Sequence, residues 1–141
     1  MITQVVLATA MCATTCYYTS TAKITDRFLS AICQVESNCT EGAVGDGGKA
    51  IGPYQIWYAY WKDAVEYDRS IGGSYRDCLY KGYSEKIVRA YMARYAIQRR
   101  LGRPVSDQDR ARIHNGGPNG YNKTATVKYW KKVQNVLKGK S

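Results

Sequence analysis

Two acidic residues that lie ten positions apart, Glu36 and Asp46, are the first candidates for chemistry in this sequence. Glu36 closes the apolar segment ICQVE, whereas Asp46 lies among glycines in VGDGGK. Taken alone, each carboxylate is typical of a solvated surface group. As a pair in unlike surroundings, they suit the cleavage of a glycosidic bond, in which one carboxyl group donates a proton and the other stays ionised as nucleophile or ion stabiliser.

The surroundings of these carboxylates favour such a division of roles. Phe28, Ile32 and Val35 recur at helical spacing ahead of the glutamate, so we expect its carboxyl group to be partly desolvated. Glycines around the aspartate supply backbone N–H groups that can solvate an ionised carboxylate. Ten residues of chain span at most about 33 Å, and a retaining mechanism needs the two groups about 5 Å apart. The spacing permits this approach, and a hairpin would produce it.

The first elements of the chain must position this pair. The segment ITDRFLSAICQVES predicts a helix with Thr25 or Asp26 as N-cap and an end near Glu36. The glycine-rich segment after it predicts turns or a small β-hairpin around residues 46–48. Pro53 then suits the first position of an aromatic helix, PYQIWYAYWKDAVEYD.

The second half of the chain is predominantly helical by pattern. An apolar stripe predicts one long helix over residues 84–101, and Gly102 follows its basic end. Ser106 and Asp109 form a capping-box pattern at the start of the next helix. A basic amphipathic helix is predicted over residues 124–138. The architecture is therefore expected to be mostly α with a small β element, in one domain.

The single histidine of the sequence, His114, precedes the run NGGPNG. A histidine at the end of a helix often does no more than interact favourably with the helix dipole. That role does not require a glycine-rich loop beside it. Glycines let backbone N–H and C=O groups approach a ligand closely, so a binding role for the loop is the alternative.

The composition indicates a basic globular protein. The 141 residues carry a net charge of +10, and 45% of them are hydrophobic, which suits one modest core. The charge favours an anionic partner, such as nucleic acid, a membrane surface or an acidic polymer like the bacterial wall, unless it serves solubility alone. With one histidine and no clustered cysteines, a metal site is not expected.

The first 22 residues contain no charged side chain. We expect residues 1–22 to be a signal peptide, with Ser20-Thr21-Ala22 as the cleavage site; an apolar helix that stays and packs is the alternative. The remaining cysteines are then Cys33, Cys39 and Cys78. The first two could close a short loop worth about 2 kcal/mol, which leaves Cys78 free or intermolecular.

Several motifs resemble one family. ICQVESNC, GPYQI, YMARYA and ARIHNGGPNGY followed by KYWKKV are similar to the invertebrate-type lysozymes, or destabilases, over about Phe28 to Val133. The resemblance implies a lysozyme-like α+β fold over residues 23–141. It also implies hydrolysis of the β-1,4 bond between N-acetylmuramic acid and N-acetylglucosamine, in a secreted, cofactor-free and monomeric protein.

The resemblance assigns roles by position. Glu36 matches the proton donor of the family and Asp46 its nucleophile, and Cys33–Cys39 is a plausible disulfide. Trp57 could stack on a sugar, although packing in the core of a helix is an equal alternative for it. The expected substrate-binding residues are Gln55, Trp57, Tyr91, His114, Asn115, Gly116 and Gly117.

Two other functions stay open at this level. A lytic transglycosylase would need Glu36 alone, because the muramyl 6-hydroxyl group replaces water as the attacking group. A non-enzymatic, wall-binding antimicrobial protein would need only the charge and the final amphipathic helix. In all three cases the expected partner is bacterial peptidoglycan, with no nucleic acid and no stable membrane insertion.

Overall fold

The structure, a computed structural model, describes residues 23–139 and is mostly helical with a small antiparallel sheet, as predicted. The expected signal peptide lies outside the described residues. The helices are α1 (Asp26–Ser37), α2 (Tyr58–Tyr67), α3 (Lys81–Tyr95), α4 (Gln98–Leu101), α5 (Asp107–Gly116) and α6 (Val127–Leu137). The strands are β1 (Val44–Gly45), β2 (Ala50–Ile51) and β3 (Ile56–Trp57). Short 3₁₀ turns join several of them.

Helix α1 begins and ends close to the predicted residues. The Thr25 hydroxyl oxygen accepts a hydrogen bond from the N–H of Phe28 at 3.1 Å, which confirms the N-cap. The helix ends at Ser37, because Asn38 adopts a left-handed conformation with φ 53°. The Asn38 N–H donates to carbonyl oxygens of the last turn. Glu36 therefore lies in the final turn of α1.

The predicted hairpin around residues 46–48 is confirmed. Strands β1 and β2 pair antiparallel, with Val44 opposite Ile51 and Gly45 opposite Ala50. A 3₁₀ turn over Asp46–Gly48 joins them. Strand β3 was not predicted, and it pairs with the other edge of β2.

The predicted helix start at Pro53 is wrong, because α2 begins five residues later, at Tyr58. The intervening chain forms a turn in which the N–H of Gln55 donates to the carbonyl oxygen of Gly52. Gly52 has φ +76°, and a Cβ on it would lie 1.7 Å from the carbonyl oxygen of Cys78. This close packing places the proline in a turn, so a tertiary contact overrides the local helix signal.

The single helix predicted over residues 84–101 is also wrong. Helix α3 starts three residues earlier and ends at Tyr95, and Ala96 breaks it with φ −93° and ψ 66°. The Arg100 guanidinium group then donates a hydrogen bond to the Tyr95 carbonyl oxygen at 3.3 Å. In a continuous helix, a backbone N–H of the next turn would have donated to this oxygen. Gly102 caps the short helix α4 in the left-handed conformation, as predicted.

Helix α5 has the predicted capping box, in which the side chains of Ser106 and Asp109 each accept the backbone N–H of the other. The helix does not stop at His114 but continues through Gly116. The Lys123 ammonium group donates a hydrogen bond to the Gly116 carbonyl oxygen at 2.6 Å. This carbonyl group at the end of the helix thereby has a partner that the helix itself cannot supply. The glycine-rich loop is therefore shorter than predicted.

The core lies between α1, α3 and α5, and α6 packs against α1 and α5. Its largest fully buried side chains include Phe28, Ile32, Ile87, Met92 and Ile113. A disulfide joins Cys33 and Cys39, and Cys78 is a buried free thiol rather than an intermolecular link. Within residues 23–139, no helix has the length and apolarity needed to cross a membrane.

Candidate active site

A cleft of about 470 Å³ lies between the end of α1, the sheet and α5. Most of the site residues predicted from the sequence line this cleft. Its lining comprises Glu36, Asp46, Gln55, Trp57, Ala59, Tyr60, Asp63, Tyr91, His114, Asn115, Gly117 and Pro118. Gly116 is not in the lining, because its α-carbon faces Thr126, whose Cγ2 would lie 2.5 Å from an added Cβ.

Glu36 is largely shielded in this cleft, with 18% of its side chain exposed. Its Oε1 accepts a hydrogen bond from the Tyr129 hydroxyl group at 2.7 Å. Burial, followed by the nearby glutamate, raises the pKa of Tyr129 well above its ordinary value, so this phenol remains a donor. Sequence reasoning missed Tyr129. Tyr129 lies in the motif KYWKKV on the amphipathic final helix, but no local pattern linked it to a residue 93 positions away.

His114 lies behind Glu36 rather than on an open loop. Its Nε2 is 3.3 Å from Oε1 of Glu36, and its side chain is only 3% exposed. Nδ1 lies 3.1 Å from the Tyr60 hydroxyl group, and Nε2 lies 3.2 Å from the Tyr54 carbonyl oxygen. Both ring nitrogens therefore have protein partners, so the ring is better placed to orient its neighbours than to contact a sugar.

Tyr91 backs the cleft through a stack of aromatic rings. Its ring lies parallel to that of Tyr60, with centroids 3.5 Å apart, and Tyr95 meets it edge-on. Burial raises the pKa of both Tyr60 and Tyr91. Tyr91 is 3% exposed, so it borders the cleft mainly as a support for the ring of Tyr60.

Asp46 and Trp57 form the opposite, more open side of the cleft. The Trp57 indole N–H donates to Oδ2 of Asp46 at 3.2 Å. Trp57 is 47% exposed, so the alternative of packing in a helix core is wrong. Lys49 places its ammonium group 5.9 Å from the centroid of the Trp57 ring. An exposed, tethered indole beside a carboxylate can offer a flat face to a sugar ring.

Gln55 stabilises the turn beneath the side of the cleft that Asp46 and Trp57 form. Its amide nitrogen donates to the Gly52 carbonyl oxygen at 2.9 Å. A Cβ added to Gly45 would lie 2.1 Å from Oε1 of Gln55, so strand β1, which leads into Asp46, packs directly on this side chain. Gln55 lines the cleft as expected, but its amide group is already engaged with the protein.

Asp63 is a further carboxylate in the cleft. Nothing in the sequence pointed to it beyond its position one turn after Tyr60. The Tyr95 hydroxyl group donates to its Oδ2 at 2.8 Å, and Arg94 lies 3.7 Å from its Oδ1. These partners hold Asp63 on the α2 side of the cleft. Among residues 23–139, no group of three His, Cys, Asp or Glu side chains has the arrangement of a metal site.

The fold is similar to that of solved lysozymes. The lysozyme of Meretrix lusoria, solved in complex with PliI of Aeromonas hydrophila, superposes with a TM-score of 0.68 at 36% identity, covering 80% of this chain and 90% of that one. The lysozyme of Tapes japonica gives 0.67 at 33% identity, covering 79% and 89%. The architecture is thus that of a lysozyme-type glycoside hydrolase.

Sequence comparison narrows this class to one family. The Destabilase family model matches residues 25–136. The Meretrix lusoria lysozyme is 37% identical over 116 residues, covering 80% of this chain and 90% of that protein. Lysozyme 1 of Crassostrea virginica is 41% identical over 118 residues, which are 82% of this chain but 61% of that longer protein. The chain belongs to the destabilase family of invertebrate-type lysozymes.

Proposed function

We propose that this protein hydrolyses the β-1,4 bond between N-acetylmuramic acid and N-acetylglucosamine in bacterial peptidoglycan. The observation that carries the proposal is the meeting of two unlike carboxyl groups in one cleft. Glu36 is shielded and faces the hydroxyl group of Tyr129, whereas Asp46 lies in an open hairpin turn and accepts an indole N–H. These are the environments that suit a proton donor and an ionised partner, respectively.

In the proposed reaction, Glu36 gives its proton to the glycosidic oxygen as the bond between that oxygen and C1 breaks. Asp46 attacks C1 or stabilises the positive charge that develops there. Water then attacks C1, displaces the Asp46 carboxylate where it has bonded to C1, and gives its proton to the Glu36 carboxylate, which restores the starting state. Trp57 offers its exposed face to the sugar chain, and Asn115 and Gly117 line the opposite wall.

The test is lysis of purified peptidoglycan by wild-type protein and by Glu36→Gln, with mass analysis of the products. We expect Glu36→Gln to lose roughly a hundredfold or more in rate and to keep its melting temperature. Glu41→Gln is the matched control, since the Glu41 side chain only accepts a backbone N–H from Lys81 at the surface. Full activity in Glu36→Gln would contradict the assignment of Glu36 as the proton donor.

Mass analysis also separates hydrolysis from the transglycosylase reaction. Hydrolysis leaves reducing ends, whereas attack by the muramyl 6-hydroxyl group leaves anhydro-muramyl ends. Asp46→Asn adds an independent criterion, because a hydrolase that uses Asp46 as nucleophile must lose most of its rate. Anhydro products together with a fully active Asp46→Asn would assign the transglycosylase.

We further propose that the protein acts outside the cell, against bacteria. The Cys33–Cys39 disulfide is of a kind that persists in oxidising compartments. The net charge of +10 suits attraction to anionic walls, and lysis should weaken as ionic strength rises. Secreted material should begin at Lys23, and N-terminal mass analysis checks this. Killing that persists in Glu36→Gln would instead favour a non-enzymatic, cationic mode.

A further inference from the structure

Two polar groups from different helices meet the same oxygen of Glu36. The Tyr129 hydroxyl group from α6 lies 2.7 Å from Oε1, and Nε2 of His114 from α5 lies 3.3 Å from it. Neither residue was expected to act on the carboxyl group. These two contacts hold Oε1 of Glu36 in place and leave its other oxygen, Oε2, for the cleft.

The direction of the bonds around His114 follows from the chemistry of its partners. The Tyr54 carbonyl oxygen can only accept, so Nε2 of His114 carries a hydrogen. The Tyr60 hydroxyl group faces Nδ1 and keeps its proton, because burial raises the pKa of Tyr60 well above its ordinary value. That hydrogen is donated to the Tyr54 carbonyl oxygen, and the same nitrogen lies 3.3 Å from Oε1 of Glu36.

The direction of the second bond follows in the same way. Tyr129 also keeps its proton, because burial raises its pKa, so its O–H donates to Oε1 of Glu36. An oxygen that accepts an O–H and lies beside a ring nitrogen that carries a hydrogen is a poor place for a hydrogen of its own, since the added hydrogen would meet like partial charges.

We infer that Tyr129 and His114 are positioning residues that hold Oε1 of Glu36 as an acceptor, so that the proton to be transferred resides on Oε2. The inference rests on the proposed role of Glu36 as general acid. Tyr60 and Tyr54 support it by fixing the orientation of the imidazole ring. The protein thus specifies not only which side chain donates the proton but also which of its two oxygens does so.

The same contacts give the inference a signature that separates kcat from KM. The Tyr129 hydroxyl group meets Glu36 and is not among the groups that line the cleft, so its removal should slow the chemical step and leave substrate binding unchanged. Tyr129→Phe removes this hydroxyl group and keeps the ring.

The experiment measures kcat and KM of Tyr129→Phe on soluble glycan strands of uncrosslinked peptidoglycan. We expect kcat to fall about tenfold, as for one lost hydrogen bond to a charged group, with KM within about twofold. A merely structural role would lower the melting temperature and leave kcat per folded molecule unchanged.

Tyr83→Phe is the matched control. It removes a hydroxyl group that bonds Gly72 and Trp61 outside the cleft, so kcat and KM should match the wild type. If Tyr129→Phe does not fold, Tyr60→Phe carries the test through His114, with a lower kcat expected.

The outcomes separate the inference from the function on which it rests. A fully active Glu36→Gln overturns the role of Glu36 itself. An inactive Glu36→Gln with a wild-type kcat in folded Tyr129→Phe overturns only the inference. A folded Tyr129→Phe that loses affinity and keeps kcat overturns it as well, because the hydroxyl group then acts on binding and not on Glu36.

Discussion

The indole nitrogen of Trp57 lies 3.2 Å from Oδ2 of Asp46 and links an exposed aromatic ring to the proposed nucleophile. The two residues are eleven positions apart but adjoin in space, because strands β1, β2 and β3 fold back on one another. A sugar that stacks on the ring therefore contacts a side chain that also orients the carboxylate. The roles proposed for Trp57 in binding and for Asp46 in catalysis would be coupled through this one hydrogen bond.

This coupling predicts the behaviour of Trp57→Phe. The variant keeps an aromatic face but cannot donate to Asp46, so we expect kcat/KM to fall about five- to tenfold on glycan strands, with kcat contributing to the loss. Trp61→Phe is the matched control, since it loses an indole hydrogen bond to Tyr83 outside the cleft. Equal activity in the two variants would mean that the Trp57 bond to Asp46 has no part in catalysis.

Stability at acid pH should depend on Asp109. Burial opposes its ionisation, but hydrogen bonds from Arg103 and Ser106 outweigh burial and lower the pKa of Asp109 to about 2, from an ordinary value of 3.8. A depressed folded-state pKa adds stability above the unfolded-state value and loses it as pH falls through the folded one. We therefore expect stability to drop between about pH 4 and pH 2.

Asp109→Asn checks the origin of this dependence. The variant should lose about 2 kcal/mol of unfolding free energy at pH 7 and show a weaker decline between pH 4 and pH 2, measured by urea denaturation. Asp107→Asn is a milder comparison, because Asp107 is partly exposed and pairs with Arg110 on the same helix. An acid decline that is as steep in Asp109→Asn as in the wild type would assign it to other carboxyl groups.

Cys78 should be inert in the native protein. Its side chain is fully buried, and burial raises the pKa of its thiol to about 12, so the reactive thiolate is scarce at neutral pH. We expect iodoacetamide to modify Cys78 only in denaturant, as followed by peptide mass mapping. Rapid alkylation under native conditions would show that this part of the fold opens readily.

Gly52 should be intolerant of a side chain. A Cβ there would overlap the Cys78 carbonyl oxygen, and the φ of +76° disfavours other residues, so Gly52→Ala should cost more than about 2 kcal/mol in unfolding free energy. Gly82→Ala is the control, because nothing lies within 4 Å of its added Cβ. It should be neutral or slightly stabilising in thermal denaturation. Comparable losses in both variants would contradict the steric explanation.

The sequence predicted those features whose causes are local. The Thr25 cap, the capping box of Ser106 and the hairpin around Asp46 depend on residues within a few positions of one another, and all three are present. The family motifs likewise placed Glu36 and Asp46 in one cleft. Interactions between residues close in sequence, together with the family motifs, were sufficient to predict these features.

The features that were missed depend on contacts between distant segments. Pro53 lies in a turn because Gly52 packs on the backbone of Cys78, and no local pattern records that contact. The helix after residue 84 breaks at Ala96, where Arg100 turns back to the Tyr95 carbonyl oxygen. Only the packing of whole helices brings Tyr129 to Glu36 and Asp63 into the cleft. These outcomes follow from tertiary packing, which the periodicity of one segment does not encode.

The bond between Tyr129 and Glu36 joins the last helix of the described chain to the first, across 93 residues of sequence. A ribosome releases the segment that carries Glu36 well before it releases α6. While α6 is still in the exit tunnel, the nascent chain holds both carboxylates but lacks the phenol that orients one of them. The arrangement proposed for catalysis therefore forms only after α6 has left the tunnel and packed against α1.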